Sequence, residues 1–126
     1  MSKGLPKKLV AAVINRDGGY CVLRLPWCQI VATVADHRAN RGNGGARSLN
    51  EMSNLIAACG RCNGAKEDAS GEVREELVRR GVRLLSDSTH AKTAIRALVT
   101  PVEYPDGRLF YLEDDGTRKE IEKTPY

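Results

Sequence analysis

The sequence is poor in aromatic residues, and it lacks long apolar runs and internal repeats. It has one Trp, one Phe and four Tyr among 126 residues, so we expect an aliphatic core. No apolar run approaches the roughly 20 residues that span a bilayer. The apolar part of the basic N-terminus is too short for a secretory signal, and Arg16-Asp17 stands where a small-residue cleavage site would lie. These absences predict a cytoplasmic protein with no membrane partner.

Length and charge narrow the class further. A chain of 126 residues is expected to form one domain, residues 1–126, that buries about two-thirds of its unfolded surface. Hydrophobic residues make up 41% and charged residues 29%, which is typical of globular proteins. The net charge of +4 is uneven, since residues 1–66 carry +7 and residues 67–126 carry −3. The basic half favours a polyanionic partner such as nucleic acid, although the scattered charge of an ordinary soluble domain also fits.

The hydrophobic pattern predicts an α+β fold. Apolar residues at helical spacing, followed by Gly or Pro, indicate three helices, over residues 5–17, 72–80 and 88–98. Strand-like residues predict two short strands within 20–35, a third strand at about 53–58, and a C-terminal β-meander over 102–121. The stretch 38–50 is rich in Gly, Asn and Arg and is expected to be a loop, and a helix should run from Cys62 to about Asp68.

All four cysteines lie within one stretch of 42 residues, as two pairs: Cys21 with Cys28, and Cys59 with Cys62. The cytosol keeps thiols reduced, which argues against two disulfides. Paired cysteines separated by tens of residues are typical of a structural zinc site with four thiolate ligands. The gap between Cys21 and Cys28 is wider than usual, but its Pro can turn the loop. The alternative is that the cysteines are simply small buried residues.

Asp36 and His37 lie between the two cysteine pairs. A lone His after an apolar strand is more often structural than catalytic. Successive side chains of a strand also point to opposite faces, so both can reach one site only if the chain bends there. The residues alone leave a structural role open for this pair.

Taken in order, the motifs of residues 10–68 resemble the HNH family of ββα-metal nucleases. The matching features are Arg16-Asp17-Gly18, the two flanking cysteine pairs, Asp36-His37, Gly44-Gly45, Asn54-Leu55, and the closing C-x-x-C-N-x-x-K of Cys59, Cys62, Asn63 and Lys66. The resemblance implies an HNH nuclease core over 10–68, stapled by zinc. The N-terminal helix opens this region, and helices and a small β-meander follow it over residues 69–126.

The resemblance also implies a role for each matched position. His37 matches the general base that activates water, a task suited to imidazole because it titrates near neutral pH. Asp36 matches a ligand of the catalytic divalent ion, and Asn54 matches the residue that braces the loop and orients the His. Asn63 stands where the family has its last His, which makes this chain an HNN variant of a kind found among active nucleases. A carboxylate with an amide oxygen favours Mg²⁺ or Mn²⁺.

The expected activity is therefore metal-dependent hydrolysis of phosphodiester bonds in double-stranded DNA. The basic residues expected to contact its phosphates are Arg38, Arg41, Arg47, Arg61 and Lys66. Small HNH proteins of this kind are frequent in bacteriophages, where some assist the packaging terminase, so a terminase subunit is a possible partner. The alternative, motivated by Asn63 and the small size, is a non-catalytic zinc module that binds DNA or protein.

Overall fold

An amphipathic helix, α1 (Lys7–Arg16), is the first element of the computed structural model, which describes residues 4–40 and 47–122. Pro6 caps it, and its chain direction changes at Gly18 and Gly19, whose φ angles are +78° and +86°. Val13 is fully buried on the side of the helix that packs against the central strands. The predicted N-terminal helix is thus confirmed.

A pair of antiparallel strands and a helix form the centre of the chain. Strand β1 (Val34–His37) pairs with β2 (Leu55–Ala58), with His37 opposite Leu55. All four residues of β2 are buried, which agrees with its uninterrupted apolar sequence. Helix α2 (Gly60–Asp68) begins two residues after β2, so the chain runs strand, strand, helix. Two short 3₁₀ turns, Arg47–Asn50 and Met52–Asn54, lead into β2.

Two short strands were predicted within residues 20–35, and the first of them is absent from the structure, which describes all of this stretch. Only an isolated bridge joins Tyr20 to Val31, and β1 starts later, at Val34. The physical reason is the backbone between them, because Arg24, Trp27 and Ile30 all have positive φ. Left-handed residues at these positions break a strand and curl the segment into a compact loop.

Two further helices and a small sheet complete the described chain. These are α3 (Gly71–Arg79), α4 (His90–Val99) and the antiparallel strands β3 (Val102–Glu103), β4 (Leu109–Leu112) and β5 (Arg118–Ile121). Their positions confirm the predicted helices and the meander. Within the described residues there are four α-helices and two antiparallel sheets, so the fold class is α+β.

One core cluster extends across both halves of the chain, from Val13 of α1 through β2 to Phe110 and Leu112 of the meander. Buried polar contacts tie the same parts together. The carboxylate of Asp17 pairs with Arg16, accepts the Ala57 amide at 2.9 Å and accepts the Tyr104 hydroxyl at 2.5 Å. The Arg16-Asp17 motif therefore links α1, β2 and the meander. None of the helices in 4–40 and 47–122 combines the length and apolar character needed to cross a bilayer.

Candidate metal centre and adjoining cavity

The four cysteine sulfurs converge on one point. All Sγ atoms of Cys21, Cys28, Cys59 and Cys62 lie within 4.8 Å of one another, and those of Cys28 and Cys59 are 3.9 Å apart. A tetrahedral zinc ion with Zn–S bonds of about 2.3 Å separates its sulfurs by about 3.8 Å. The cluster therefore fits a metal such as zinc after only a small contraction.

Backbone amides support thiolate chemistry in this cluster. Cys59 Sγ accepts the amides of Gln29 at 3.4 Å and Cys62 at 3.3 Å, and Cys28 Sγ accepts that of Ile30 at 3.3 Å. Burial by itself raises the pKa of Cys59, but these hydrogen bonds outweigh it and lower the pKa to about 6. Burial raises the pKa of the Cys62 thiol, because the charged thiolate is poorly solvated there. A bound cation would compensate the charge of that thiolate.

The start of α2 couples this cluster to a second feature. Cys59 is the N-cap of the helix and Cys62 is buried in its first turn. Asn63 is the next residue, about 100° further round the helix, and Lys66 lies one turn beyond Cys62. A metal held by the cysteines would thus fix the rotation of α2 and the directions in which Asn63 and Lys66 point.

Asn63 faces a cavity of about 370 Å³, and Asp36 and His37 line the same cavity, whereas Asn54 does not. Its lining includes Asp36, His37, Asn63, Lys66, Arg74 and Arg83. The structure therefore brings together Asp36, His37 and Asn63. Asp36 and His37 both line the cavity although they are neighbours on β1. They lie at the end of the strand, where the chain leaves the sheet.

Asp36 is buried and is held by Lys66. The Lys66 ammonium donates to Asp36 Oδ2 at 2.6 Å, to the His37 carbonyl at 2.7 Å and to the Val82 carbonyl at 3.1 Å. Burial raises the pKa of Asp36 and lowers that of Lys66, and the attraction between the two charges opposes both shifts. Lys66 is only 3% exposed. The prediction that it contacts DNA phosphate is wrong, because its three donors are already used inside the protein.

His37 is half-buried, and its ring is fixed from one side. Nε2 lies 2.8 Å from Oδ1 of Asn50, in the 3₁₀ turn before β2. With the amide oxygen as acceptor, Nε2 carries the hydrogen. This leaves Nδ1 as the nitrogen that can accept a proton.

Asn54 is fully buried, and within the described residues the hydrogen bonds of its side chain all go to backbone atoms. Its Nδ2 donates to the carbonyls of Ala39 at 3.1 Å and Leu49 at 2.9 Å, and its Oδ1 accepts the Ala39 amide at 2.9 Å. These residues lie on either side of the segment 41–46. Asn54 therefore braces the two stretches of chain that flank residues 41–46.

The prediction for Arg38 is wrong. It was expected to contact DNA, yet it is 1% exposed. Its guanidinium donates to the carbonyls of Gly81, Ser53, Ala97 and Thr100 at 2.6–2.8 Å. A guanidinium in this position cannot reach a phosphate, and it instead ties the end of β1 to the C-terminal half.

The other predicted DNA contacts have different outcomes. Arg61 is exposed in the first turn of α2, where it is free to face a polyanion. Arg41 lies outside the described residues. Arg47 begins a 3₁₀ turn, and its side chain also lies outside the described part.

Sequence reasoning missed three residues of this region: Asn50, Arg74 and Arg83. A signal existed for Arg83, since it is a charged residue between two apolar residues, Val82 and Leu84. Arg74 and Asn50 had none, because only the fold brings α3 and the 3₁₀ turn to the cavity.

No family model matches the chain, and no curated protein or solved structure matches it. The α+β class and the cysteine cluster are therefore observations of the structure. The HNH core, the nuclease activity and the catalytic ion rest on the sequence resemblance and on the cavity.

Proposed function

We propose that the protein is a divalent-metal-dependent DNA endonuclease of the HNH type, in which His37 is the general base. The observation that carries the proposal is the convergence of Asp36, His37 and Asn63 on one cavity, next to a four-cysteine cluster. A base, a carboxylate and an amide oxygen at one opening are the groups that phosphodiester hydrolysis needs. A purely structural His37 would need no such neighbours.

His37 has the geometry for proton transfer. The hydrogen bond from Nε2 to Asn50 holds the ring and leaves Nδ1 to take a proton from water. The hydroxide equivalent attacks phosphorus, the bond from phosphorus to the 3′ oxygen breaks, and that oxygen takes up a proton. The products carry a 5′-phosphate and a 3′-hydroxyl. Asn54 would brace the chain that follows His37 through its hydrogen bonds to Ala39 and Leu49.

The donors around the cavity suit a hard divalent ion. Of the two carboxylate oxygens of Asp36, only Oδ2 accepts a hydrogen bond from Lys66. Oδ1 accepts no hydrogen bond from the described residues. Oδ1 and the amide oxygen of Asn63 would hold Mg²⁺ or Mn²⁺, with substrate phosphate completing the ligands. Such an ion supplies stabilisation of the negative charge that develops during phosphoryl transfer. The four cysteines would hold zinc in a purely structural role.

Plasmid cleavage tests the proposal. Supercoiled DNA is incubated with zinc-loaded protein in Mg²⁺, Mn²⁺, added Zn²⁺ or EDTA, and nicked and linear forms are separated on a gel. We expect cleavage with Mg²⁺ or Mn²⁺ and a loss of at least about 100-fold in His37→Ala, because general-base catalysis contributes 10²–10⁴-fold.

The matched control is the second histidine. His90 is exposed at the first position of α4 and is not among the described residues that line the cavity, so His90→Ala should cleave like the wild type. Equal cleavage by His37→Ala and His90→Ala, with zinc retained in both, would remove His37 as the base.

A second candidate is a non-catalytic zinc module that binds DNA or a protein partner, such as a phage terminase subunit. The ion pair of Asp36 with Lys66 favours it, because that pair neutralises the one carboxylate predicted to bind the ion. DNA binding without divalent ions, and no cleavage with any metal, would support this candidate over the nuclease.

A further inference from the structure

Two arginines from the C-terminal half line the cavity that holds Asp36, His37 and Asn63. Arg74 belongs to α3, and Arg83 lies just beyond the end of that helix. Neither is part of the motif in residues 10–68, so the sequence resemblance assigns them no role.

Arg83 is held in place by the fold. Val82 and Leu84 on either side are buried, whereas Arg83 is only partly buried and lines the cavity. The Arg83 amide donates to the Leu77 carbonyl at 3.1 Å, so the bend after α3 fixes its backbone. The Leu84 amide donates to the Arg38 carbonyl at 2.9 Å, which anchors the segment directly after His37. Nη1 of Arg83 donates to the Lys66 carbonyl at 3.4 Å, in the last turn of α2.

The charges that line the cavity leave these two arginines available. Arg38 is committed to four carbonyls, and Lys66 is paired with Asp36. Within 4–40 and 47–122, neither Arg74 nor Arg83 forms an ion pair with an acidic side chain. Among the described residues of the lining, Glu67 supplies the only negative charge besides Asp36. The opening is therefore cationic, and guanidinium is the side-chain group that best matches phosphate.

We propose that Arg74 and Arg83 bind backbone phosphate of the nucleic acid that enters this cavity. The inference rests on the proposed function for the identity of the ligand. It gives the C-terminal half a task, since α3 and the segment after it supply the cations that the buried Arg38 and Lys66 do not.

Salt-dependent binding tests this site apart from cleavage. The affinity for a fluorescein-labelled 20-base-pair duplex is measured by anisotropy between 50 and 200 mM salt, with zinc-loaded protein and without Mg²⁺ or Mn²⁺. Each phosphate contact adds about 0.9 to the slope of log affinity against log salt. Arg74→Gln/Arg83→Gln should make that slope less steep by about 1.8. The ratio of wild-type affinity to variant affinity should therefore fall about tenfold between 50 and 200 mM salt.

Three control variants separate charge from structure. Lys119→Gln removes one exposed positive charge from β5, away from the cavity, and should keep the wild-type slope. Arg74→Lys/Arg83→Lys keeps both charges and should retain most of the slope. Arg74→Gln alone changes an exposed helix position and should lower the slope by about 0.9, so it serves if the double variant does not fold.

The outcomes distinguish the two proposals. Binding that depends on both arginines, with no cleavage under any metal, supports the phosphate site and overturns the nuclease. Cleavage by a wild type whose salt slope equals that of the double variant supports the nuclease and overturns the phosphate site. A wild type that does not bind the duplex also overturns the phosphate site.

Discussion

Replacement of Arg38 by Met should strongly destabilise the protein. The guanidinium makes four hydrogen bonds to carbonyls: 2.8 Å to Gly81, 2.7 Å to Ser53, 2.8 Å to Ala97 and 2.6 Å to Thr100. These acceptors come from the turn before β2, the turn after α3, and the end of α4. Met fills a similar volume but donates nothing, so carbonyls on three elements lose their partner.

The size of the effect follows from these contacts. A hydrogen bond from a charged donor contributes about 1.5–3 kcal/mol, and a buried acceptor left without a partner costs about 1–3 kcal/mol. The four terms do not add, because Met also removes the penalty for burying a charge, the effect that lowers the pKa of Arg38 to about 9. Four carbonyls left without a partner at about 1–3 kcal/mol each, offset in part by the relieved burial of the charge, give an expected loss of about 4 kcal/mol. That is a large part of the roughly 5–15 kcal/mol that stabilises a domain.

Urea unfolding measures this directly. With a slope near 2 kcal/mol per molar, a loss of about 4 kcal/mol moves the midpoint down by about 2 M. Arg61→Met is the matched control, since Arg61 is exposed on α2 and its replacement should change stability by less than about 0.5 kcal/mol. Arg38→Met with wild-type stability and impaired DNA binding would refute the reasoning and restore Arg38 as a DNA contact.

Three further predictions test the metal centre and the core. Elemental analysis of freshly purified protein should find one zinc per chain, and a strong chelator should lower its thermal midpoint; folded protein without zinc would rule out the four-cysteine site. Burial, together with the neighbouring Asp17 carboxylate, raises the pKa of Tyr104. Tyr104 therefore keeps its hydroxyl proton to higher pH in the folded state than in the unfolded state. Its contribution to the free energy of unfolding is complete below the unfolded pKa of about 10 and decreases as pH rises above that value. Tyr104→Phe should therefore cost about 1.5–3 kcal/mol near neutral pH, and the difference should narrow in alkaline urea titrations; a constant difference would contradict this. Gly81→Ala should cost at least about 3 kcal/mol in the same assay, because its Cβ would lie 2.0 Å from the Pro101 carbonyl oxygen at a φ of +73°, whereas Gly18→Ala, with open space around it, should cost only about 1–2 kcal/mol.

The sequence was sufficient for elements whose stability is local. Helices α1, α3 and α4 have apolar residues at helical spacing and end near Gly or Pro, and the meander has turn residues between short strands. The segment 20–33 was mispredicted because its shape depends on distant partners. Its left-handed residues Arg24, Trp27 and Ile30 turn the chain so that Cys21 and Cys28 reach Cys59, 31 residues beyond Cys28.

The candidate site shows the same division. The motif predicted that Asp36, His37 and Asn63 would meet, and they do line one cavity. It could not tell which basic residues are exposed, because Arg and Lys look alike in a sequence whether they bind DNA or internal carbonyls. Arg38 is buried only because α4 and the turn at Gly81 cover it, and these elements lie more than 40 residues away.

Lys66 gives the strongest reason why substrate and ion should bind together. Its ammonium lies 2.6 Å from Asp36 Oδ2, so the one carboxylate of the proposed ion site is already partly neutralised. Asn63 adds an oxygen but no charge. A divalent ion therefore gains little from the protein alone, and the phosphate of bound nucleic acid must supply much of the attraction. Arg74 and Arg83, which line the same cavity, would bring that phosphate in before the ion is held. The Asn at position 63 is then compatible with an active site, because the ion's affinity depends on the complete complex rather than on that residue alone.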